Sequence, residues 1–343
     1  MIFLPANRAW SIDVWRKPKL ASATAPAWTL NLLRFQIAVV YLFAGFAKFN
    51  ADWLLEAQPL RIWLAARSDL PLIGTSLAEP WLAYAASWIG AIFDTSIVFF
   101  LLCKRTRKIA FALVILFHVS TWVLFNIGMF PWIMIVAASL FFPPAWPRYW
   151  ASKLSAFYSG ARGSLASKHR MNEGVEAPDL PHGPAVQANG VLVLCLSIYS
   201  AVQLALPLRS YITAEEPGWT CAGFNCAWRV MLCEKTGYAE FFAFDPATDR
   251  RWRLKVRDYL TPRQEMMMAQ DPFLIRQMAR QMGTDLRRRG QEQVQVTVEA
   301  FATLNGRPSQ RLIDPTVNLA GTGGFRVNQK KWPPGGRPFV LNQ

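Results

Sequence analysis

The sequence predicts a multi-pass α-helical membrane domain followed by a β-rich (α+β) exoplasmic domain. Two observations on composition support this. Hydrophobic residues make up 52% of the 343 residues, and only 17% are charged, whereas soluble globular chains contain about a quarter charged residues. The third observation is that the apolar residues gather in long runs before residue 208. The chain therefore resembles an integral membrane protein rather than a soluble enzyme or a disordered polypeptide.

Five apolar runs are candidate membrane spans. Four of them approach the ~20 residues that cross a bilayer core, and they occupy residues 28–47, 81–102, 109–127 and 190–207. The remaining run, the fourth in chain order at about 129–143, is shorter, and the tight link at 126–128 predicts either a hairpin or a tilted pair with the run before it. The predicted organisation is a membrane domain with about four spans at 1–150, a cytoplasmic linker at 151–188, a last span at 189–208 and an exoplasmic domain at 209–343.

The net charge of +15 is distributed as membrane topology predicts. The successive connections 1–27, 49–80, 103–108 and 143–188 carry net charges of +3, −2, +4 and +2. Basic connections face the cytoplasm, so five crossings that start inside place residues 208–343 on the exoplasmic side. In a bacterial inner membrane this side is the periplasm. No nucleic-acid-binding motif accompanies the charge, and we expect no nucleic-acid partner.

The C-terminal part has the pattern of a mixed soluble domain. Strands are predicted where Val, Phe, Trp, Tyr and Thr are enriched and partly alternate, at residues 227–233, 238–244, 250–256 and 293–303. A helix is predicted over 272–289, because Asp271-Pro272 starts it and three arginines precede Gly290.

The five cysteines predict at most one structural disulfide. Cys103 and Cys195 lie in or beside apolar runs, whereas Cys221, Cys226 and Cys233 cluster in the C-terminal part. If that part faces an oxidising compartment, two of these three can pair, and the sequence leaves the pair open. With three histidines and no CxxC motif, we expect no metal site.

Four ionisable residues lie in or at the ends of the apolar runs: Arg34, Lys48, Asp94 and His118. Ionisable groups in a membrane are costly and commonly functional. Arg34 and Lys48 can also extend their charged ends to the interface. Asp94 can be a buried partner for a basic group or a helix cap, and His118 can form a hydrogen bond within the bundle. Spacing leaves all four roles open.

Ordered motifs along residues 3–318 resemble the vitamin K-dependent gamma-glutamyl carboxylase family. The most specific string has the pattern LRxQxxxVYxxAGxxKxxADW and covers residues 33–53. The other matching strings are Ala6-Asn7, Trp10-Ser11, Asp13, Phe93-Asp94, Phe117-His118, Leu124-Phe125, Ile127-Gly128-Met129-Phe130, Ala145-Trp146-Pro147-Arg148, Trp228, Asp258-Tyr259-Leu260 and Ile313-Asp314-Pro315.

The resemblance implies an enzyme that couples two reactions. Reduced vitamin K, a menaquinol-like quinol, is deprotonated and oxygenated by O2. The strong base so formed removes a proton from the γ-carbon of glutamate, and CO2 adds to the carbanion. The implied partners are the lipid bilayer, the quinol and a glutamate-containing protein or peptide. The resemblance implies that Lys48 is catalytic, and His118 is a second candidate catalytic residue. The candidate quinol-binding residues are Arg34, Tyr41, Asp94 and Phe130, although the two aromatic residues can equally face lipid or pack within the bundle.

Elementary chemistry supports the role that the resemblance gives to Lys48, which is the base that starts the reaction. An amine acts as a base only in its neutral form, and burial in apolar surroundings favours that form. An arginine in this position would keep its proton.

At its beginning, the sequence departs from the family's pattern. The family places further membrane helices before the segment that matches Ala6-Asn7, and this chain begins at Met1. Two alternative functions follow as hypotheses: a quinol epoxidase without carboxylation, and a non-catalytic membrane scaffold.

Overall fold

A computed structural model describes residues 11–22, 25–160, 189–212, 217–220, 223–321 and 327 of the chain. The helices are α1 Ile12–Arg16, α2 Ala27–Ala47, α3 Ala51–Leu54, α4 Leu60–Ala65, α5 Gly74–Leu77, α6 Pro80–Leu102, α7 Arg107–Leu124, α8 Phe130–Ala138, α9 Trp146–Gly160, α10 Gly190–Ile212, α11 Pro217–Thr220, α12 Pro262–Ala269 and α13 Pro272–Arg288. The strands are β1 Lys235–Asp245, β2 Arg250–Leu254, β3 Gln295–Leu304 and β4 Gln310–Arg311.

Four helices in the described residues are long and apolar enough to cross a membrane: α2, α6, α7 and α10. They match the four long apolar runs of the sequence. Because a small antiparallel sheet follows them, the predicted fold class, a helical membrane region followed by a β-containing domain, is confirmed. The chain forms two compact units, Met1–Leu42 with Ser96–Gln203 and Phe43–Thr95 with Leu204–Gln343.

In the first unit, α7 and α8 form a hairpin, which is one of the two arrangements that the sequence predicts. The rings of Trp122 and Trp132 lie 5.4 Å apart near its closed end, and those of Phe111 and Phe142 lie 5.1 Å apart near its open end. A 3₁₀ turn, Ser139–Phe141, extends α8. The extended helix has about 12 residues and a length of about 18 Å, which is less than the ~30 Å of a bilayer core.

In the second unit, the sheet has the strand order β2-β1-β3-β4, and all pairs are antiparallel. Side chains of a strand alternate between its faces, and in β3 every second residue from Val296 to Leu304 is buried. The amphipathic helix α13 covers this buried face with Ile275, Met278 and Met282. These residues form the apolar core of the extramembrane domain.

The structure confirms most of the predicted elements of this domain and corrects one. Three of the four predicted strands correspond to β1, β2 and β3, and the predicted helix at 272–289 is α13, with the Asp271 carboxylate accepting hydrogen bonds from its first backbone N–H groups. The strand predicted at 227–233 is wrong, because the segment forms turns. Trp228 and Met231 there have φ values of 53° and 60°, and a strand cannot contain this left-handed conformation.

The predicted disulfide stays a prediction. Cys226 is exposed and forms no disulfide with any described residue. Cys221 lies outside the described residues.

We propose that the α8 segment, which is α8 with its 3₁₀ extension (residues 130–141), also crosses the membrane and brings the number of crossings to five. Within the first unit, the Phe142 ring, just after the α8 segment, contacts the Phe111 ring near the start of α7. The end of the α8 segment therefore lies beside the start of α7. Within the second unit, Arg307 of the extramembrane domain binds Asp52 of the connection between α2 and α6, so both lie on one side of the membrane. The chain must therefore cross the membrane an even number of times between Asp52 and Arg307. Because α6, α7 and α10 supply three, the α8 segment must supply the fourth.

This topology predicts which residues can be labelled from outside an intact cell. We expect single cysteines introduced as Glu79→Cys and Ala247→Cys, in a background without other cysteines, to react with a membrane-impermeant maleimide. The native Cys103, kept alone in a parallel variant, should react only after permeabilisation. Reaction of positions 79 and 247 from opposite sides would contradict the fifth crossing.

Candidate acid–base site at a membrane-helix end

Lys48 and Asp94 form an ion pair that is almost completely buried. Lys48 follows the last residue of α2, and Asp94 lies in the middle of α6. The Lys48 Nζ donates hydrogen bonds to Asp94 Oδ2 at 2.7 Å and to the Ala44 carbonyl at 3.1 Å. The relative exposure of the two residues is 5% and 6%. Of the two roles left open for Asp94, the structure therefore supports the buried partner of a basic group.

A glycine brings the two helices close enough for this pair to form. A Cβ atom on Gly45 would lie 2.5 Å from the Thr95 Cγ2 and 2.8 Å from the Thr95 backbone nitrogen. The backbones of α2 and α6 thus touch beside Asp94, in the way that small residues permit between membrane helices. Because Lys48 is only three residues from Gly45, this contact places its side chain at the Asp94 carboxylate.

Trp53 covers the amine of Lys48. The Nζ lies 5.2 Å from the centre of the Trp53 ring, which is within the range of a cation–π interaction. The indole Nε1 donates to the Ser87 carbonyl at 2.8 Å, and the Ser87 hydroxyl donates to the Trp53 carbonyl. Ser87 and Asp94 are seven residues apart on α6, and so lie on the same face of the helix. Trp53 is therefore fixed to the helix face that carries Asp94.

Asp52, next to Trp53, is bound by the extramembrane domain. The Arg307 guanidinium donates two hydrogen bonds to its carboxylate, one of them at 2.8 Å, and the Asn305 Nδ2 donates a third at 2.8 Å. Asn305 and Gly306 form the turn after β3 with positive φ values of 51° and 74°. We call Asp52, Asn305 and Arg307 the clamp. Sequence reasoning missed it, although the Asn-Gly dipeptide is a recognisable hairpin-turn signal.

The Lys48–Asp94 pair can exchange protons with a bound molecule. In its zwitterionic and neutral forms the pair has no net charge, and a second proton makes it cationic. The Asp94 Oδ1 receives no hydrogen bond from any residue that the structure describes. One carboxylate oxygen is thus able to accept a hydrogen bond from a hydroxyl group of a substrate.

Three other predicted site residues meet in the first unit. The Tyr41 hydroxyl lies 2.9 Å from the His118 Nε2, and both side chains are buried. The Phe130 ring lies edge-on to the imidazole, with 6.5 Å between the centroids. The structure supports a hydrogen bond for His118 within the bundle. Tyr41 and His118 can pass a proton between them, because both groups can donate and accept.

Arg34 contacts the end of the α8 segment. Its Nε donates to the Leu140 carbonyl at 2.8 Å, and its Nη2 donates to the carbonyls of Phe141 and Phe142 at 3.3 and 3.2 Å. These carbonyls lie where the short helix ends and lack partners within it. Arg34 thus stabilises the end of the α8 segment, and the extension of its charge to the interface stays a prediction. Its predicted quinol-binding role stays a prediction.

Two motif residues of the extramembrane domain form structural hydrogen bonds. The Tyr259 hydroxyl donates to Asp285 Oδ2 at 2.9 Å, and burial together with this carboxylate raises the pKa of Tyr259. Asp314 accepts hydrogen bonds from the backbone N–H and the hydroxyl of Thr316, which lower the pKa of the Asp314 carboxyl group. The Tyr259 hydrogen bond joins the segment before α12 to α13, and the Asp314 hydrogen bonds hold the local turn.

Comparison with known protein families gives two adjacent matches. The HTTM domain matches residues 1–146, and the lumenal domain of vitamin K-dependent gamma-carboxylase matches residues 188–333. The first match contains Lys48 and Asp94, and the second contains Asn305 and Arg307. No solved structure matches the chain.

The contact at Gly45 predicts a clear difference between two glycine substitutions. We expect Gly45→Ala to destabilise the protein by about 1–3 kcal/mol, because the added Cβ forces α2 and α6 apart. Gly90→Ala is the matched control, since a Cβ there lies 3.5 Å from the nearest atom of Trp53. Thermal unfolding of both variants in lipid nanodiscs measures the difference. Equal melting temperatures would show that the two helices do not depend on the close contact.

The clamp predicts that opposite charges are required at positions 52 and 307. Arg307→Asp should destabilise the docking of the domain by about 1.5–3 kcal/mol, which is the usual contribution of hydrogen bonds to charged groups. The exchange of charges in Asp52→Arg with Arg307→Asp should recover part of this loss. Hydrogen exchange of residues 49–56 reports the docking. A double variant no better protected than Arg307→Asp alone would contradict a direct ion pair.

Proposed function

The chain belongs to the vitamin K-dependent gamma-carboxylase family, and we propose that it is a membrane enzyme that couples oxygenation of a reduced vitamin K-type quinol to carboxylation of glutamate. The family implies the use of vitamin K hydroquinone and of glutamate substrates. The observation that carries the proposal is the buried Lys48–Asp94 pair, which provides a proton-accepting group at the end of a membrane helix.

The residues around the pair fit a lipid-soluble quinol. Lys48 and Asp94 are almost completely buried, the Trp53 ring covers the amine, and Asp94 Oδ1 is available to a hydroxyl group. A quinol hydroxyl needs an acceptor of this kind, and its hydrophobic tail needs access from the lipid. When bound, the quinol supplies, by its reaction with O2, the strong base that removes the γ-proton of glutamate.

We assign the first proton transfer to the Lys48–Asp94 pair. The pair accepts one proton from the substrate hydroxyl and becomes cationic, while the substrate oxygen becomes negative. In surroundings of low dielectric constant this opposite charge at short range stabilises the product of the transfer. An isolated lysine could accept the proton only after losing its own. The carboxylate lets Lys48 pass its proton to Asp94 and act as the base in its neutral form.

The other proposed site residues have supporting roles. Tyr41 and His118 form a second, separate hydrogen-bonded pair that can carry a proton, and Phe130 closes one side of the imidazole. The glutamate-bearing substrate would approach through the extramembrane domain. In a bacterial inner membrane that domain would lie in the periplasm.

Lys48 substitutions test the proton-accepting role. We expect Lys48→Ala and Lys48→Arg each to lower quinol epoxidation by about 10²–10⁴-fold, the usual contribution of a general base. The arginine variant should fail because its guanidinium does not release a proton. Asp94→Asn should also lose activity, since it cannot take up the proton. The assay is epoxide formation by purified protein in lipid vesicles supplied with reduced vitamin K and O2.

The control for this experiment is Lys108→Ala, which removes an exposed lysine at the start of α7 and should keep full activity. A small amine should partly rescue Lys48→Ala, with activity rising as pH increases. Wild-type turnover in Lys48→Ala would contradict the base role. Incorporation of labelled CO2 into a glutamate peptide separates a carboxylase from a quinol epoxidase. A wild-type protein without either activity would support the scaffold hypothesis.

A further inference from the structure

Four large apolar side chains are exposed where α12 meets α13. Met266 and Met267 lie in the last turns of α12 and are 57% and 56% exposed, and Phe273 and Leu274 lie in the first turn of α13 and are 50% and 39% exposed. Only residues 270–271 separate the two helices. We call these four residues the apolar corner. Clusters of exposed apolar residues of this kind are typical of interaction surfaces.

The membrane-facing end of the sheet can be identified from contacts within the second unit. The Asn305 and Arg307 side chains, just after β3, bind Asp52, which lies five residues beyond the end of α2. The Glu234 carboxylate, just before β1, accepts a hydrogen bond from the Trp63 indole in the same connection. The start of β1 and the end of β3 therefore lie nearest to the membrane helices.

The apolar corner lies at this same end. A Cβ on Gly237, the third residue of β1, would be 2.0 Å from the Ala269 carbonyl oxygen, so the last residue of α12 rests on the start of β1. From there α13 runs away from the membrane. A Cβ on Gly283, late in α13, would lie 3.6 Å from a methyl group of Val296 at the opposite end of the sheet.

We infer that the apolar corner inserts into the exoplasmic surface of the lipid bilayer. Methionine, phenylalanine and leucine side chains bury favourably at the boundary between head groups and acyl chains. The exposed Arg263 on α12 can contact a lipid phosphate. The nearby Asp271 carboxylate is occupied by the backbone N–H groups of Phe273 and Leu274, at 2.7 and 3.4 Å.

This contact attaches the extramembrane domain to the bilayer itself, in addition to the clamp and the hydrogen bond between Trp63 and Glu234. The clamp binds the end of β3, and the apolar corner anchors the helices that cover the sheet. Together they restrict rotation of the domain about the end of α10. The inference rests on the membrane location of the chain, and it is independent of the proposed chemistry.

Fluorescent probes on the full-length protein test the inference. A bimane label is attached to Met267→Cys or Phe273→Cys, in a background without native cysteines, and the protein is placed in phosphatidylcholine–phosphatidylglycerol nanodiscs. Arg288→Cys, exposed at the far end of α13, is the matched control. We expect doxyl-labelled lipid to quench the corner probes about threefold more than the control, as for side chains at interfacial depth. Iodide in the water should quench the control more.

Each other outcome overturns the inference. Equal iodide quenching at positions 267, 273 and 288 would place the apolar corner in water. Shielding from iodide without quenching by doxyl lipid would mean that a protein segment covers it. A second measurement excludes local unfolding: hydrogen exchange of α13 in the labelled variants must match that of the unlabelled protein. Met266→Cys provides a further probe position.

Discussion

The buried ion pair between Lys48 and Asp94 is the constraint on which the second unit depends. Removing two charges from water costs several kcal/mol for each ion, and only close, fixed geometry recovers that cost. The surrounding residues supply this geometry. Gly45 permits the helix contact, Trp53 covers the amine, and the clamp fixes the segment that carries Trp53. A small shift of α2 against α6 would leave two buried charges without partners.

The same constraint makes the pair useful for chemistry. A single buried lysine would have to exist either as a costly isolated cation or as a neutral amine. Coupled to a carboxylate at 2.7 Å, it can exchange its proton internally without changing the net charge. In the proposed mechanism, the next proton would come from the substrate and would leave a negative oxygen beside the cationic pair. Binding and proton transfer thus stabilise each other in the water-excluded surroundings.

Local sequence patterns predicted the helices, helix ends and hairpin that depend on neighbouring residues. Apolar runs gave the four long spans, and Asp271-Pro272 gave the start of α13. The hairpin of α7 and α8 followed from its short link. These patterns failed to predict structures that depend on contacts between distant parts of the chain. Residues 227–233 have strand-like composition but form turns. The clamp joins residues 255 positions apart, and no local periodicity reveals such a contact.

The clamp also explains how an extramembrane domain can serve a reaction that starts in the membrane. In the proposed reaction, the quinol would reach the protein from the lipid and the glutamate-bearing chain would arrive from water, so the two substrates would have to meet near the membrane surface. Asp52 lies four residues after Lys48, and its carboxylate is held by the turn that ends β3. The turn after β3, Asp52, Trp53 and the amine of Lys48 are therefore joined by a continuous series of contacts. In the proposed reaction, these contacts would let the position of a glutamate substrate bound to the β-containing domain influence the proton transfer at Lys48 and Asp94.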